Sequence, residues 1–539
     1  MEYRKWYNSY PPGVPHTINY PHLPLKDHFL QRVQEHPDRD YIIWENIRIS
    51  YEQCNTLSRK FSNSLIEMGY KKQDRIALAT VNRPEYIIAL QACFKIGAAV
   101  VPTNPRFKTE ELLRQFQETG ASIAIIMEQF AYKALEIMQS GKTSLEHIII
   151  IGGSTSMNLP DCKGIHSWNQ VINEGQDIEP DVAVYPEDIA ILQHSGGTTG
   201  VPKAVILSNS NLEAMAYMTY HWFTPPLDGD VIRCLVPLPL YHVIGFGNNV
   251  NFNLIGGGTV ILIDSPTPEK IINNINQYEP NYFTTVPSML ATLSHYPDTK
   301  QSKIGKLKGM MVGGAPLPLE VHKEFEEMYG LKIMQGYGLS ETITISCTPF
   351  FREQKPGTVG LPYPDTDVKV VDVEDGITEM PTGTPGELIV KGPQVMTAYW
   401  NNPEETSRVF NQDGWFYTGD IVTQDEDGYI TIVDRKKDLI ISSGFNVYPR
   451  EIDEVVYTHP SVLEACTVGI PDKKRGESAK VFIVLKPGKT LEPQEILDHC
   501  RQHLADYKIP VSIEFRNELP KTAVGKLSRV GLRKLENMA

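Results

Sequence analysis

Short runs of β-branched and other apolar residues alternate along this chain with longer segments whose apolar positions recur every three or four residues. Residues 75–81 (RIALATV), 98–101 and 123–127 read as strands, and 84–94 and 108–119 between them as helices. Alternation at this spacing predicts βαβ units and a parallel sheet. A second series of strands, 189–193, 231–237, 259–263, 282–286 and 310–312, carries helices between several of its members. The large N-terminal portion is therefore α/β with more than one sheet. From about residue 357 the pattern changes. Residues 386–390, 414–417 and 429–434, separated by Gly- and Asp-rich turns, predict a small antiparallel unit. A charged run at 434–438 (DRKKD) precedes a compact tail, with strands at 479–485 and 512–515 and an amphipathic helix at 493–504. The shift in composition places a domain boundary at 435–438, dividing the chain into 1–436 and 437–539.

Composition narrows the class. The 539 residues are 41% hydrophobic and 22% charged, which excludes wholesale disorder. A formal net charge of −14 argues against a nucleic-acid binder. Seven scattered cysteines (Cys54, Cys93, Cys162, Cys234, Cys347, Cys466, Cys500) form no CxxC knuckle and read as buried small hydrophobes in a reducing cytosol. Met1–Lys5 is followed by no apolar core, so no signal peptide is expected. The most apolar windows, 86–102 and 235–252, are interrupted by Lys95 and by Pro237, Pro239 and His242, so no membrane span is expected either. A cytoplasmic protein is the expectation.

Five segments carry candidate chemistry. Ser195-Gly-Gly-Thr-Thr-Gly-Val-Pro-Lys203 combines three glycines, three hydroxyls and a lysine between two apolar runs, a composition suited to gripping phosphate. It is not a Walker A loop, because Val201 and Pro202 separate Gly200 from Lys203 and Ala204 follows. Gly336-Tyr-Gly-Leu-Ser-Glu-Thr342 places a ring able to stack on a base beside a carboxylate able to hold Mg²⁺ through water. Trp415-Phe-Tyr-Thr-Gly-Asp420 ends in an acid that suits the two hydroxyls of a ribose. Asp434-Arg-Lys-Lys-Asp438 and Pro520-Lys-Thr-Ala-Val-Gly-Lys526 complete the set. Singly, each reads as a turn or exposed charge.

Together and in this order, the five segments closely resemble the adenylate-forming acyl-CoA synthetase family, from about Leu25 to the C-terminus. That family includes fatty-acyl-CoA and aryl-CoA ligases, firefly luciferase and peptide-synthetase adenylation domains. The opening Tyr10-Pro-Pro-Gly-Val-Pro-His-Thr-Ile-Asn-Tyr20 further resembles the long-chain fatty-acid–CoA ligase branch. The resemblance implies an α/β fold with a large multi-subdomain N-terminal domain of two αβαβα-type layered sheets and a small β-barrel-like unit, joined to a smaller mobile α+β C-terminal domain. It implies ATP, Mg²⁺ and coenzyme A as reactants, and two half-reactions: a carboxylic acid, expected to be a medium- to long-chain fatty acid, becomes acyl-AMP with release of pyrophosphate, and coenzyme A then displaces AMP. No nucleic-acid partner follows from it. A peripheral membrane contact and a homodimer stay open, as do two alternatives: adenylation of an aryl acid or transfer to a carrier thiol or amine, and, from another class, a non-catalytic acyl or nucleotide binder.

By position in the motifs, the resemblance implies that Ser195, Gly196, Gly197, Thr198, Thr199, Gly200 and Lys203 hold the β- and γ-phosphates. Gly313, Gly314, Ala315 and Pro316 would lie along adenine and the acyl carboxylate. Gln335, Gly336, Tyr337, Gly338 and Ile432 join the nucleotide site, with Tyr337 on adenine. Thr342 would donate to the α-phosphate, Glu341 take Mg²⁺, and Asp420 hold the ribose with Arg435 assisting. Lys526 would bridge the carboxylate and α-phosphate in adenylation, Lys437 would be the hinge, and Ser443 and Gly444 would line the pantetheine channel. His242, in Pro239-Leu-Tyr-His-Val-Ile-Gly245, resembles the acyl gate. Two positions depart from the family pattern, His194 before the phosphate loop and Ala204 after it. Four asparagines in 247–253 are more polar than an alkyl channel wants, unless they face another helix or subunit.

Overall fold

The structure is a computed structural model that describes residues 4–152, 163–195, 203–227, 229–350, 354–443, 445–521 and 527–536. Among these the strands form four sheets. The first runs in the order Ile165–Ser167, His147–Ile151, Ile123–Met127, Arg75–Ala79, Ala99–Pro102, Ile189–His194, Ala204–Ser208. It is parallel until its last member, which returns antiparallel with His194 opposite Ala204. The second sheet has a parallel core of Asp40–Trp44, Thr259–Leu262, Arg233–Val236, Tyr282–Thr285, Gly309–Val312 and Ile333–Tyr337.

Strand periodicity explains the layering. Ile76 and Leu78 enter the same hydrophobic core as Ile42, Cys234, Val236, Val260 and Leu262 of the second sheet. Their neighbours Ala77 and Ala79 face a separate core beneath Thr109–Thr119 and Ala131–Ser140. Ile43, Leu235 and Ile261 face a third, beneath Pro268–Tyr278, Pro287–His295 and Leu319–Tyr329. Alternate residues thus serve opposite faces, as a strand buried on both sides requires. The shared core contains the helices Leu25–Glu35, Tyr51–Glu67, Pro84–Lys95 and Asn209–Phe223. Pro84–Lys95 has every residue buried except Glu85, as expected of a helix held between two sheets. The result is a five-layered αβαβα body.

The small unit expected after residue 357 is a four-stranded antiparallel sheet of Asp367–Val371, Gly386–Lys391, Phe416–Gln424 and Ile430–Arg435. Its third strand starts at Phe416 and runs on to Gln424, so Asp420 sits within a strand and not at the end of one. Residues 4–20 strap this unit to the layered body. Arg4 pairs with Asp367, the Tyr10 hydroxyl donates to Pro362 O at 2.7 Å, and the Tyr10 ring meets Trp222 edge-on.

The C-terminal part builds its own sheet from Ile440–Ser442, Phe445–Val447, Val462–Asp472, Gly476–Leu485 and Ser512–Phe515. Helices Pro449–Tyr457 and Pro493–His503 cover one face, and Arg529–Glu536 the other. The six described cysteines are all buried and unpaired, and Cys162 lies outside the described residues. No helix among the described residues is long and apolar enough to cross a membrane.

The C-terminal part grips the small sheet through one carboxylate. Asp434 accepts from the Arg450 amide at 2.8 Å and from Arg529 Nη1 at 3.1 Å. Arg450 Nη1 also donates to Ile432 O at 2.7 Å. Arg529 Nη2 meets Asp453 at 2.8 Å, while Arg533 meets Asp438 at 2.9 Å. Burial pushes the Asp453 carboxyl up to about 6, with Asp434 adding repulsion that Arg529 only partly offsets. Its folded-state value therefore stands above the ordinary 3.8, and folding takes up a proton here. The stabilising share is full below about pH 4 and is lost as pH rises through 6. In urea titrations, Asp453→Asn is expected to lose ground to the parent least at pH 7 and most at pH 4; a gap independent of pH would refute the assignment.

Candidate active site

The parallel strands of the second sheet end together, and the 313–316 and 335–342 segments and the loop before His242 leave from those carboxyl ends, where open α/β sheets place their ligands. Gly313 follows Val312 and donates its amide to Thr285 O at 3.1 Å. A Cβ on Gly313 would stand 3.3 Å from Gly336 O, so the two segments run in close approach. Gly314 has φ +82°, a left-handed conformation that suits glycine. Ala315 is half-buried and Pro316 exposed. Gln335 is buried, its amide donating to Thr348 Oγ1 at 2.7 Å.

The Gly336–Thr342 segment folds back on itself. A side chain at Gly338 would collide with Ile343 O, 2.2 Å from the added Cβ. Thr342 is buried and its hydroxyl oxygen accepts from the Leu339 amide at 3.1 Å, which keeps the O–H free to donate. The Tyr337 hydroxyl donates to Asp420 Oδ2 at 2.5 Å, and Arg435 Nε meets Asp420 Oδ1 at 2.9 Å. Asp420 stands opposite Arg435 in the strand pairing, so the ladder itself delivers the ion pair. Burial, with Asp420 beside it, raises the Tyr337 phenol far above its usual range, and Asp420 raises Arg435. Each Asp420 oxygen retains a second lone pair, so a further donor can still be received.

Ser195 and Lys203 are the described ends of the phosphate-loop motif, and the Ser195 amide donates to Lys203 O at 2.9 Å. Gly196, Gly197, Thr198, Thr199 and Gly200 lie outside the described residues, as do Gly444 and Lys526. The Lys203 ammonium pairs with Glu405 and lies 5.2 Å from the centre of the Tyr399 ring. The Tyr399 hydroxyl in turn donates to Glu341 Oε1 at 2.8 Å. Burial and Glu341 together raise the Tyr399 phenol. One tyrosine thus links the loop's lysine to the candidate metal carboxylate. It is set there by backbone pairing, Trp400 N to Ala204 O at 2.8 Å and Ile206 N to Ala398 O at 3.0 Å. The described residues contain no group of three or more His, Cys, Asp or Glu able to hold a metal ion. A single carboxylate with one oxygen committed to a phenol fits Mg²⁺ arriving with a polyphosphate, since that ion keeps most of its waters and phosphate ligands.

His242 caps the short turn Val243–Gly245, with Nδ1 accepting from the Ile244 amide at 3.3 Å. Its loop is stapled by Asn82, whose side chain donates to Val236 O and Leu238 O at 3.0 and 2.9 Å and accepts from the Leu240 amide at 2.9 Å. The asparagines of 247–253 lie on a π-helical turn, Phe246–Asn251, and its continuation. Asn251 donates to Leu212 O at 2.7 Å, on the helix Asn209–Phe223. Asn249 donates to Gly245 O at 2.9 Å and accepts from Cys234, while Asn253 donates to Asn249 O at 2.6 Å. Asn251 thus faces another helix, the alternative the sequence left open, whereas Asn249 and Asn253 bond carbonyls of their own helical segment.

On the C-terminal side, Ser443 has φ +52° and its amide donates to Arg475 O at 2.7 Å. Lys437 lies in the turn Lys436–Asp438, and burial of its ammonium, with Arg435 and Arg533 nearby, lowers its pKa to about 8. Tyr399, Glu405 and Asn82 escaped the sequence reading. They belong to none of the five motifs, and only pairing between distant segments brings them to the site.

The chain belongs to the AMP-binding enzyme family, whose profile matches residues 29–400, followed by the AMP-binding enzyme C-terminal domain at 451–526. It is similar to a long-chain-fatty-acid–CoA ligase of Bacillus subtilis (strain 168), 34% identical over 98% of this chain and 97% of that one. Among solved structures, ATP-bound MatB from Rhodopseudomonas palustris superposes with a TM-score of 0.86, at 26% identity over 95% of this chain and 99% of that one. Apo MatB from the same organism, 27% identical over 95% and 98%, gives 0.76, a poorer fit.

Asn82→Ala would strand the Leu240 amide and two carbonyls in a buried setting. We expect a loss of about 2–4 kcal/mol in urea unfolding. A change below about 0.5 kcal/mol would show that the loop holds its shape without the staple.

Proposed function

We propose that this protein is an ATP-dependent acid–CoA ligase (AMP-forming) that activates a medium- to long-chain fatty acid. The observation that carries the reading is the gathering, from three different sheets, of the phosphate-loop stem, the Glu341–Thr342 turn and the buried Asp420–Arg435 pair through the Lys203–Tyr399–Glu341 and Tyr337–Asp420–Arg435 contacts. Near-full-length similarity to a long-chain-fatty-acid–CoA ligase supports the substrate class.

The first half-reaction has to bring two anions together while charge grows at the α-phosphate, so positioning and preorganised positive charge supply most of the catalysis. Ser195 to Lys203 hold the β- and γ-phosphates, and Lys203 exchanges Glu405 for them. Tyr337 and the Gly313–Pro316 turn sandwich the adenine, while Asp420 receives the ribose hydroxyls with Arg435 holding it in place. The Thr342 O–H donates to the α-phosphate, and Glu341 holds the Mg²⁺ that enters with ATP. Lys526 bridges the acyl carboxylate and the α-phosphate. Pyrophosphate leaves, the C-terminal part turns about Lys437, and Ser443 with Gly444 opens a channel through which the thiol of coenzyme A attacks the acyl carbon and AMP departs. His242 gates the acyl pocket. We place the reaction in the cytoplasm, in keeping with six buried, unpaired cysteines.

The deciding measurement is acid-dependent pyrophosphate release with MgATP, over saturated fatty acids of increasing length plus benzoate and cinnamate, with and without coenzyme A. We expect turnover that depends on coenzyme A and peaks on an alkyl acid. A peak on an aryl acid would move the substrate class, and release that stalls near one turnover would mean another acceptor. Lys526→Ala is expected to slow acyl-AMP formation by two to three decades, about the loss of one preorganised charge contact. It should spare thioester formation from pre-made acyl-AMP. Gly444→Leu should do the reverse, and equal effects on both half-reactions would overturn this division of labour.

A further inference from the structure

The two stems of the phosphate loop are held by a residue from a third element. Glu118 belongs to the helix Thr109–Thr119, on the outer face of the first sheet. Its Oε1 accepts from the Ala204 amide at 3.0 Å, on the strand that leaves the loop. Its Oε2 meets His194 Nε2 at 3.1 Å, on the strand that enters it. His194 and Ala204 face each other across the ladder, and Ser195 and Lys203 are the next residues inward. One turn earlier on the same helix, Gln115 Nε2 lies 2.9 Å from His194 Nδ1 and also donates to Pro102 O at 3.2 Å.

Chemistry assigns the protons. An amide nitrogen already donating to a carbonyl can only donate again, so His194 Nδ1 accepts. Nε2 then carries the hydrogen and donates it to the carboxylate. The His194 side chain is only 11% exposed and Gln115 is buried, so water does not substitute freely between them, whereas the Glu118 carboxylate is 35% exposed and meets solvent on its outer side. A ring lacking both an acceptor and a donor at these positions would leave Gln115 and Glu118 without their shared partner. The pattern calls for one acceptor and one donor on the same side chain.

We propose that Glu118, acting through His194 and the Ala204 amide, is a positioning residue that sets the width of the phosphate loop's mouth and so places Ser195 and Lys203 for the triphosphate of ATP. The inference rests on the reading that the 195–203 loop holds phosphate. Neither Glu118 nor His194 need touch the nucleotide. The clamp acts on the spacing of the two stems, and a spacing error at the mouth is felt as weakened ATP binding.

The test uses the full-length enzyme in the coupled thioester assay, with Glu118→Ala, His194→Phe, the double variant, His194→Gln and Lys203→Ala. We expect Glu118→Ala and His194→Phe each to raise KM for MgATP about tenfold, the scale of one charge-assisted hydrogen bond. KM for the acid and for coenzyme A should stay unchanged. The double variant should be no worse than the poorer single one, because both remove the same contact. His194→Gln, which can still present a donor to Glu118, should recover most of the loss. A rise in KM for MgATP in Lys203→Ala but in neither clamp variant would overturn the clamp and leave the loop reading standing. No rise in any of the three would overturn both. Equal rises for all three substrates, or additive effects without recovery in His194→Gln, would make Glu118 a general structural residue and overturn the proposal.

Discussion

A carboxylate that is 2% exposed must be paired, because an unpaired buried charge costs several kcal/mol. Asp420 is that carboxylate, and its pairing joins three parts of the molecule. Tyr337, at the carboxyl end of a strand in the second sheet, reaches it from one side. Arg435, the last residue of the small sheet, reaches it from the other. The preceding residue, Asp434, is in turn gripped by Arg450 and Arg529 of the C-terminal part. The strand end that carries Tyr337, the small sheet and the C-terminal part are thus joined through adjacent residues, with no long path between them.

The layering places everything else. Two sheets share one slab of helices, and each strand in the middle of a sheet spends one face on that slab and the other on an outer helix layer. Parallel strands buried this way offer only their ends for function. The site loops are accordingly short, with two shaped by local contacts, Thr342 on the Leu339 amide and Gly338 against Ile343, and one by a distant residue, Asn82 on three groups of the loop before His242. The phosphate-loop motif is the exception. It joins two antiparallel strands at the edge of the first sheet, where the ladder on one side ends, and there an outer helix lends Gln115 and Glu118.

Several elements were legible because their determinants are local. Residues 123–127 and 512–515 form the strands their β-branched runs predict, and the helix predicted over 84–94 ends one residue later. The strand predicted at 414–417 was misplaced, because Gly419 and Asp420 break the apolar pattern while the ladder continues through them to Gln424. The asparagines of 247–253 looked like a polar pocket lining. A π-helical turn directs the amides of Asn249, Asn251 and Asn253 toward carbonyls, and no period-3.6 pattern could have announced it.

The sequence by itself determined an α/β body with more than one sheet, the change of style near residue 357 and the five segments that name the family, whose resemblance in turn implied the αβαβα layering. Alternation, turn chemistry and contiguous motifs are properties of neighbours along the chain, and they survive in one dimension. Only the tertiary structure decided that Tyr399 lies between Lys203 and Glu341, that Asp434 is the grip of the C-terminal part, and that Glu118 spans the phosphate-loop stems. Each of those is a contact between residues tens to hundreds of positions apart. Such contacts come into being when strands pair and helices dock, and a lone Glu, Tyr or Asp carries no mark of the partner it will meet.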